Sequence, residues 1–148
     1  MASAVAPIAL VVAGLNAVAA LIGALQWSRG ATPARAFWVA VRVAQGAAVV
    51  FAATCGVLAL SGEKPDDGLF WLYVVLPLAV ALIAEQLRLA SARAELDARE
   101  LPDAHAMRAL SDADQRAIVV AILRREMVVM AVACAAVSFL ALRAAMTA

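Results

Sequence analysis

The chain has 148 residues, of which 66% are hydrophobic and only 16% charged, and its mean hydropathy is +0.93. Soluble domains carry about 45 to 50% apolar residues, so this composition excludes an ordinary soluble domain. Twelve basic and eleven acidic side chains leave a net charge of +1, which provides no field for nucleic acid or another polyanion. Forty residues are Ala, and eleven of the twelve basic residues are Arg, with Lys64 the only lysine. That bias points to a high-GC genome and a bacterial inner membrane. No metal-ligand spacing, nucleotide loop or catalytic signature occurs, so neither a metal nor a cofactor is expected.

The apolar residues fall into blocks of about twenty, the length that crosses hydrocarbon as a helix. The first block runs from about Ala4 to Gln26. It lacks the basic start and the short core of a cleaved signal peptide, and is expected to remain as helix one. Arg29, Gly30 and Pro33 interrupt the pattern, with Pro33 placed as a first-turn proline, and helix two follows from about Ala34 to Leu60. The polar stretch from Ser61 to Gly68 is the clearest turn.

Helix three begins at about Leu69, with Trp71 and Tyr73 as boundary aromatics, and Pro77 within it predicts a mild kink. Its apolar block ends near Ile83, but the helical pattern continues through Glu85 to Glu100, with Leu87, Leu89, Ala92 and Leu96 as an apolar stripe. Leu101 and Pro102 should stop it. Ser111 then reads as an N-cap, with Asp112 and Asp114 in the first turn of helix four. Its apolar block covers Met127 to Leu142 and ends around Arg143.

Basic residues orient these helices. Arg29, Arg35, Arg88, Arg93, Arg99, Arg108, Arg116, Arg124 and Arg125 fall in the segments on one side, against Lys64 and Arg143 on the other. By the positive-inside rule both termini and the 61–68 turn lie outside, and the 88–117 segment is cytoplasmic. The expected fold is therefore an all-α integral membrane protein, with four transmembrane helices in an antiparallel up-down bundle. It forms one domain over 1–148, with helices three and four extended into the cytoplasm as a hairpin over about 86–124.

Polar residues inside the apolar blocks are the candidate site. Glu85 and Glu126 each lie seventeen residues from the expected outer end of their helix, about 25 Å along the axis. Arg42 and Gln45 on helix two and Gln26 on helix one come to a similar depth, so Gln26, Arg42, Gln45, Glu85 and Glu126 define a polar layer near the cytoplasmic boundary. If they face one another, they line a site or a pathway for protons or cations. Alternatively, they snorkel to the interface and form boundary ion pairs, Glu85 with Arg88 and Glu126 with Arg124 or Arg125.

Asn16 lies about mid-membrane, as a ligand group or as a hydrogen-bonding partner to another helix. The spacings Ala19 to Gly23, Ala52 to Gly56 and Ala131 to Ala135 permit close helix approach. Cys55 and Cys134 read as small apolar residues, and Met127 and Met130 as packing. His105 is the only histidine, which excludes bis-histidine haem ligation within one chain.

In general plan, a four-helix chain of this length with a polar cytoplasmic end is similar to the trimeric membrane enzymes of glutathione and eicosanoid metabolism. The resemblance is one of architecture. Their arginine, asparagine and glutamate pattern is absent from helix two, which offers Arg42 and Gln45, so no residue role carries over.

Three functions fit, in descending order. The first is a non-enzymatic membrane subunit or interaction protein, in contact with membrane lipid and assembled as a homo-oligomer or within a larger membrane complex. The second is a small oligomeric ion or proton transporter using the polar layer. The third is a membrane enzyme acting on a lipophilic substrate at the cytoplasmic interface.

Overall fold

The computed structural model describes residues 2–65, 67–101 and 105–147. Four long α-helices account for most of them: α1 Ala2–Ser28, α2 Arg35–Leu60, α3 Phe70–Asp97 and α4 Asp112–Thr147. A single 3-10 turn, Ala106–Ala109, lies between α3 and α4, and there is no strand among the described residues. Each α-helix is long and apolar enough to cross a membrane.

Two buried clusters show how the helices run. One joins Val5 and Val12 of α1, Phe51 and Cys55 of α2, Phe70 and Val74 of α3, and Ala141 and Ala144 of α4. The other joins Ala19 of α1, Phe37 and Val41 of α2, Ala84 of α3, and Met127 and Met130 of α4. The start of each odd helix thus meets the end of each even one, and consecutive helices are antiparallel. Outside the clusters the surface stays apolar: Val11, Leu21, Val50, Val57, Leu82, Val132 and Phe139 are all more than half exposed. Contiguous apolar surface of this extent has to be covered by something other than water.

The core is closed by α1 against α4. A Cβ on Gly23 would come within 2.7 Å of the Ala131 Cβ and 2.8 Å of the Phe37 ring, so only glycine fits there. Of the three small-residue spacings, the Ala19–Gly23 and Ala131–Ala135 pair meets in this contact, through Gly23 and Ala131. The Ala52–Gly56 spacing makes no such approach, for a Cβ on Gly56 would have nothing within 4 Å. Ser138 Oγ donates to the Ala13 carbonyl at 2.9 Å, a second link between α1 and α4.

Three helices end in the same way. At α1, α2 and α3 an N–H bonds back to the carbonyl five residues earlier, Ala31 to Gln26, Glu63 to Leu58 and Leu101 to Leu96. The residue before each donor has positive φ: Gly30 at 68°, Gly62 at 89° and Glu100 at 56°. This is the Schellman arrangement, which satisfies the last carbonyls of a helix and reverses the chain. It ends α3 at Asp97, ahead of the expected stop at Leu101 and Pro102, the latter lying outside the described residues.

Other boundaries also differ from expectation. Pro33 precedes the Ala34 N-cap of α2 and is not in its first turn. The Gln26 side chain organises that connection by accepting from the Ala34 N–H at 3.1 Å. Pro77, by contrast, does not break its helix, as expected, and is buried within a continuous α3. Ser111 caps α4 as expected, its Oγ accepting from Asp114 N at 3.2 Å. Helix α4 then continues beyond Arg143 to Thr147.

Beyond Glu85 and Glu126 the two helices project further, α3 by twelve residues and α4 by fourteen, about 18 to 21 Å. Only part of the apolar stripe is sheltered there, Ala92 and Leu96 being half-buried. Leu87 and Leu89 are 53% and 60% exposed, whereas Ser91 of α3 and Ile118 of α4 are buried. Ser91 fits because it is small and its hydroxyl donates to the Leu87 carbonyl in its own helix at 2.9 Å.

Two glycines of α1 should respond oppositely to alanine. Gly23→Ala overpacks the α1–α4 contact and should lower stability by about 1 to 3 kcal/mol. Gly14→Ala, where a Cβ meets nothing within 4 Å, should raise it by about 0.5 to 1 kcal/mol. Glu100→Gly should add about 1 kcal/mol by relieving a left-handed backbone at a side-chain-bearing residue. Thermal unfolding in detergent micelles checks all three.

Candidate functional site

The polar residues of α2, α3 and α4 converge at the end of the bundle marked by Phe37 and Met127. Arg42 and Gln45 sit one turn apart on α2, so their side chains leave the same face of the helix. That face meets Glu85. Arg42 Nη1 donates to Glu85 Oε1 and also to Gln45 Oε1, the latter at 2.7 Å. Gln45 Nε2 donates to Glu85 Oε1 at 3.0 Å.

From its own helix Glu85 receives a further bond, from Arg88 Nε to its Oε2 at 3.0 Å. Arg88 then reaches α4, where its Nη1 lies 3.7 Å from Glu126 Oε2. The Arg88 guanidinium also lies over the Trp38 ring of α2, 5.6 Å from its centroid, a cation–π position. Arg88 therefore touches groups on three helices.

The carboxylates are the more enclosed partners. The side chains of Glu85 and Glu126 are 23% and 15% exposed, and that of Arg42 is 53% exposed. Two guanidinium groups thus face two carboxylates, and the cluster is neutral as a whole. Helix α2 touches α3 sparsely compared with α1, so these bonds are a main link between α2 and α3.

Of the five residues expected in the layer, Arg42, Gln45 and Glu85 are in direct contact and Glu126 joins through Arg88. Gln26 is elsewhere, bonded to the Ala34 backbone. Glu126 makes no ion pair with Arg124 or Arg125 among the described residues; its partner is Arg88. The helix geometry explains this, because Arg88 lies between the buried positions Ala84 and Ser91 and so faces α4. Trp38 was left out of both readings, while Arg88 stood outside the layer but was paired with Glu85 in the boundary alternative, and that pair is present.

Asn16 is buried, but its Nδ2 donates to the Val12 carbonyl of its own helix at 2.9 Å and not to another helix. Ser138 makes the interhelical bond instead. Asn16 and Gln45 share the lining of a central cavity of about 10 Å³, with Pro77, Met130 and Cys134 among its walls. That volume accommodates about one water molecule. Met127 and Met130 are buried core residues, and Cys55 and Cys134 are free thiols buried in the two clusters. His105 is exposed in the connection between α3 and α4.

No family model matches this sequence, and neither a curated protein nor a solved structure matches the chain.

The cluster predicts an order of mutational effects. Glu85→Gln leaves two guanidinium groups facing a neutral amide and should cost about 1 to 3 kcal/mol. Arg42→Gln should cost less, about 0.5 kcal/mol, because the arginine is half exposed. Arg88→Gln should fall between them, and its effect should not add to that of Glu126→Gln. Denaturation in detergent of the single and double variants measures the order and the coupling.

Proposed function

We propose that this chain is a multi-pass protein of the bacterial inner membrane, with both termini outside, acting as a non-enzymatic membrane subunit or interaction protein. On this reading its apolar outer faces pack against lipid, copies of itself or a larger membrane complex. The observation that carries it is the mutual neutralisation of Arg42, Arg88, Glu85 and Glu126. A layer whose charges are committed to one another serves as a clamp between helices, holding α2 to α3 and α3 to α4. The exposed apolar belt supports the membrane and assembly parts of the reading.

A small ion or proton transporter is the second reading. It is favoured by the cavity that Asn16 and Gln45 line, since Gln45 also holds Glu85. The two readings part on one experiment. In proteoliposomes the clamp reading expects no proton or cation flux above that of empty vesicles, with Glu85→Gln lowering thermal stability alone. Flux through the wild-type protein that Glu85→Gln or Glu126→Gln abolishes, with folding intact, selects the transporter.

Topology has its own test. In intact cells a cysteine at position 105, in a background with Cys55 and Cys134 replaced, should react only with membrane-permeant reagents. A cysteine at position 65 should react with impermeant ones. The reverse pattern would invert the orientation. Native mass spectrometry of the protein released from nanodiscs should show a homo-oligomer or a stoichiometric partner protein.

A further inference from the structure

A groove of about 650 Å³ runs along the outside of the bundle between α1 and α4. Its walls are almost entirely apolar, from Trp27 and Val128 at one end to Ala17 and Ser138 at the other, and its floor includes Gly23 and Ala131. The groove exists because the Gly23 contact draws two alanine-rich helices together while their small side chains leave the outer face hollow.

Its length is informative. The ends Ala17 and Trp27, and Val128 and Ser138, are each ten residues apart, about 15 Å of helix. That is half of a hydrocarbon core of about 30 Å, the depth of a single leaflet. An acyl chain from one leaflet fits the length available.

The charge at one end specifies the rest of the molecule. Arg124 lies one helical turn before Val128, on the same side of α4, and Arg125 is next to it. Just past the end of α1, Arg29 follows Trp27 by two residues. Measured from the Gly23–Ala131 contact, Arg29 and Arg125 are each six residues further along, about 9 Å, and therefore level with one another. Arg29, Arg124 and Arg125 hold no ion pair among the described residues. Because Arg88 takes Glu126, the acid beside these arginines is already engaged. Cβ directions on α4 tilt toward its N-terminus, which aims Arg124 and Arg125 away from the apolar groove and toward its mouth.

We propose that the α1–α4 groove binds an anionic glycerophospholipid, with one acyl chain between the helices, the phosphate on Arg124, Arg125 and Arg29, and Trp27 at the level of the headgroup. The site rests on the membrane-spanning reading and is independent of what the Glu85 cluster does. Trp27 and the guanidinium groups sit at the end of the groove where a headgroup meets water, and Ala17 and Ser138 sit at its bilayer-centre end. The Ser138 hydroxyl is already bonded to the Ala13 carbonyl, so it offers the acyl chain no free donor.

The full chain is reconstituted into nanodiscs of mixed phosphatidylglycerol and phosphatidylcholine with identical acyl chains, and retained lipid is counted by native mass spectrometry. The expected result is retention of phosphatidylglycerol over phosphatidylcholine. The double variant Arg124→Gln/Arg125→Gln should reduce that retention on the order of ten- to thirty-fold, from about 1 kcal/mol per basic residue. Ala24→Phe and Ala17→Phe, at exposed groove positions, should reduce it with all arginines present. Helical circular dichroism and the thermal midpoint verify that each variant is folded.

Equal retention of the two lipids overturns the proposal. So does retention unaffected by the arginine pair and by both phenylalanine variants, or a lipid-free dimer in which a second copy covers the groove. Failure of the wild-type chain to enter nanodiscs at all would overturn the membrane reading as well, which separates the two failures.

Discussion

The close approach of α1 and α4 at Gly23 is the constraint on which the rest of the arrangement depends. It brings the first and last helices of the chain together, with the Phe37 ring of α2 packed into the same contact. Once α1 and α4 are adjacent and antiparallel, the short connections leave α2 and α3 to complete the bundle beside them. The second link, from Ser138 to the Ala13 carbonyl, lies about fifteen ångströms from Gly23 along α1 and fixes the relative register of the two helices. A glycine and a serine thus set a geometry that larger apolar side chains fill in.

The charged cluster performs a different task. Apolar packing is rich between α1 and α4 and between α3 and α4, but sparse between α2 and α3. Glu85 stands where the packing is sparse, accepting from Arg42 and Gln45 of α2 and from Arg88 of its own helix. Directional bonds supply there the attachment that shape complementarity supplies elsewhere. Taking a carboxylate out of water is unfavourable unless it is matched by charge and hydrogen bonds, and here the matching groups come from two helices. The cluster therefore selects one rotation of α2 about its axis, the one that turns Arg42 and Gln45 toward α3.

Much of the fold was legible because it is written in long periodicities. The apolar blocks marked all four helices, the Ser111 cap marked the start of α4, and the matched depth of Glu85 and Glu126 put them in one layer. What was not legible depends on rotation about helix axes, which a depth count does not contain. Gln26 has the right depth but faces its own connection. Arg88 was assigned to the boundary because it belongs to a charged stretch, yet its position between Ala84 and Ser91 turns it inward. The apolar stripe of α3 divides for the same reason, with Leu87 and Leu89 exposed, Ala92 and Leu96 half-buried, and Ser91 buried beside them. The end of α2 at Leu60 came out as expected, whereas α1 runs two residues past Gln26 and α3 stops at Asp97, ahead of the proline.

Those reversals bear on how the molecule meets membranes of different thickness. A helix that frays gradually shortens its apolar span by unwinding a turn at little cost. Here α1 and α2 each end in a paired set of backbone bonds with the next residues already turned back, so unwinding a turn would break the reversal as well. On the membrane-spanning reading, such helices keep their length in a thinner bilayer and meet it by tilting, or by thickening the lipid around them. The bundle then acts as a ruler for the bilayer, and its angle to the membrane becomes the variable that thickness controls.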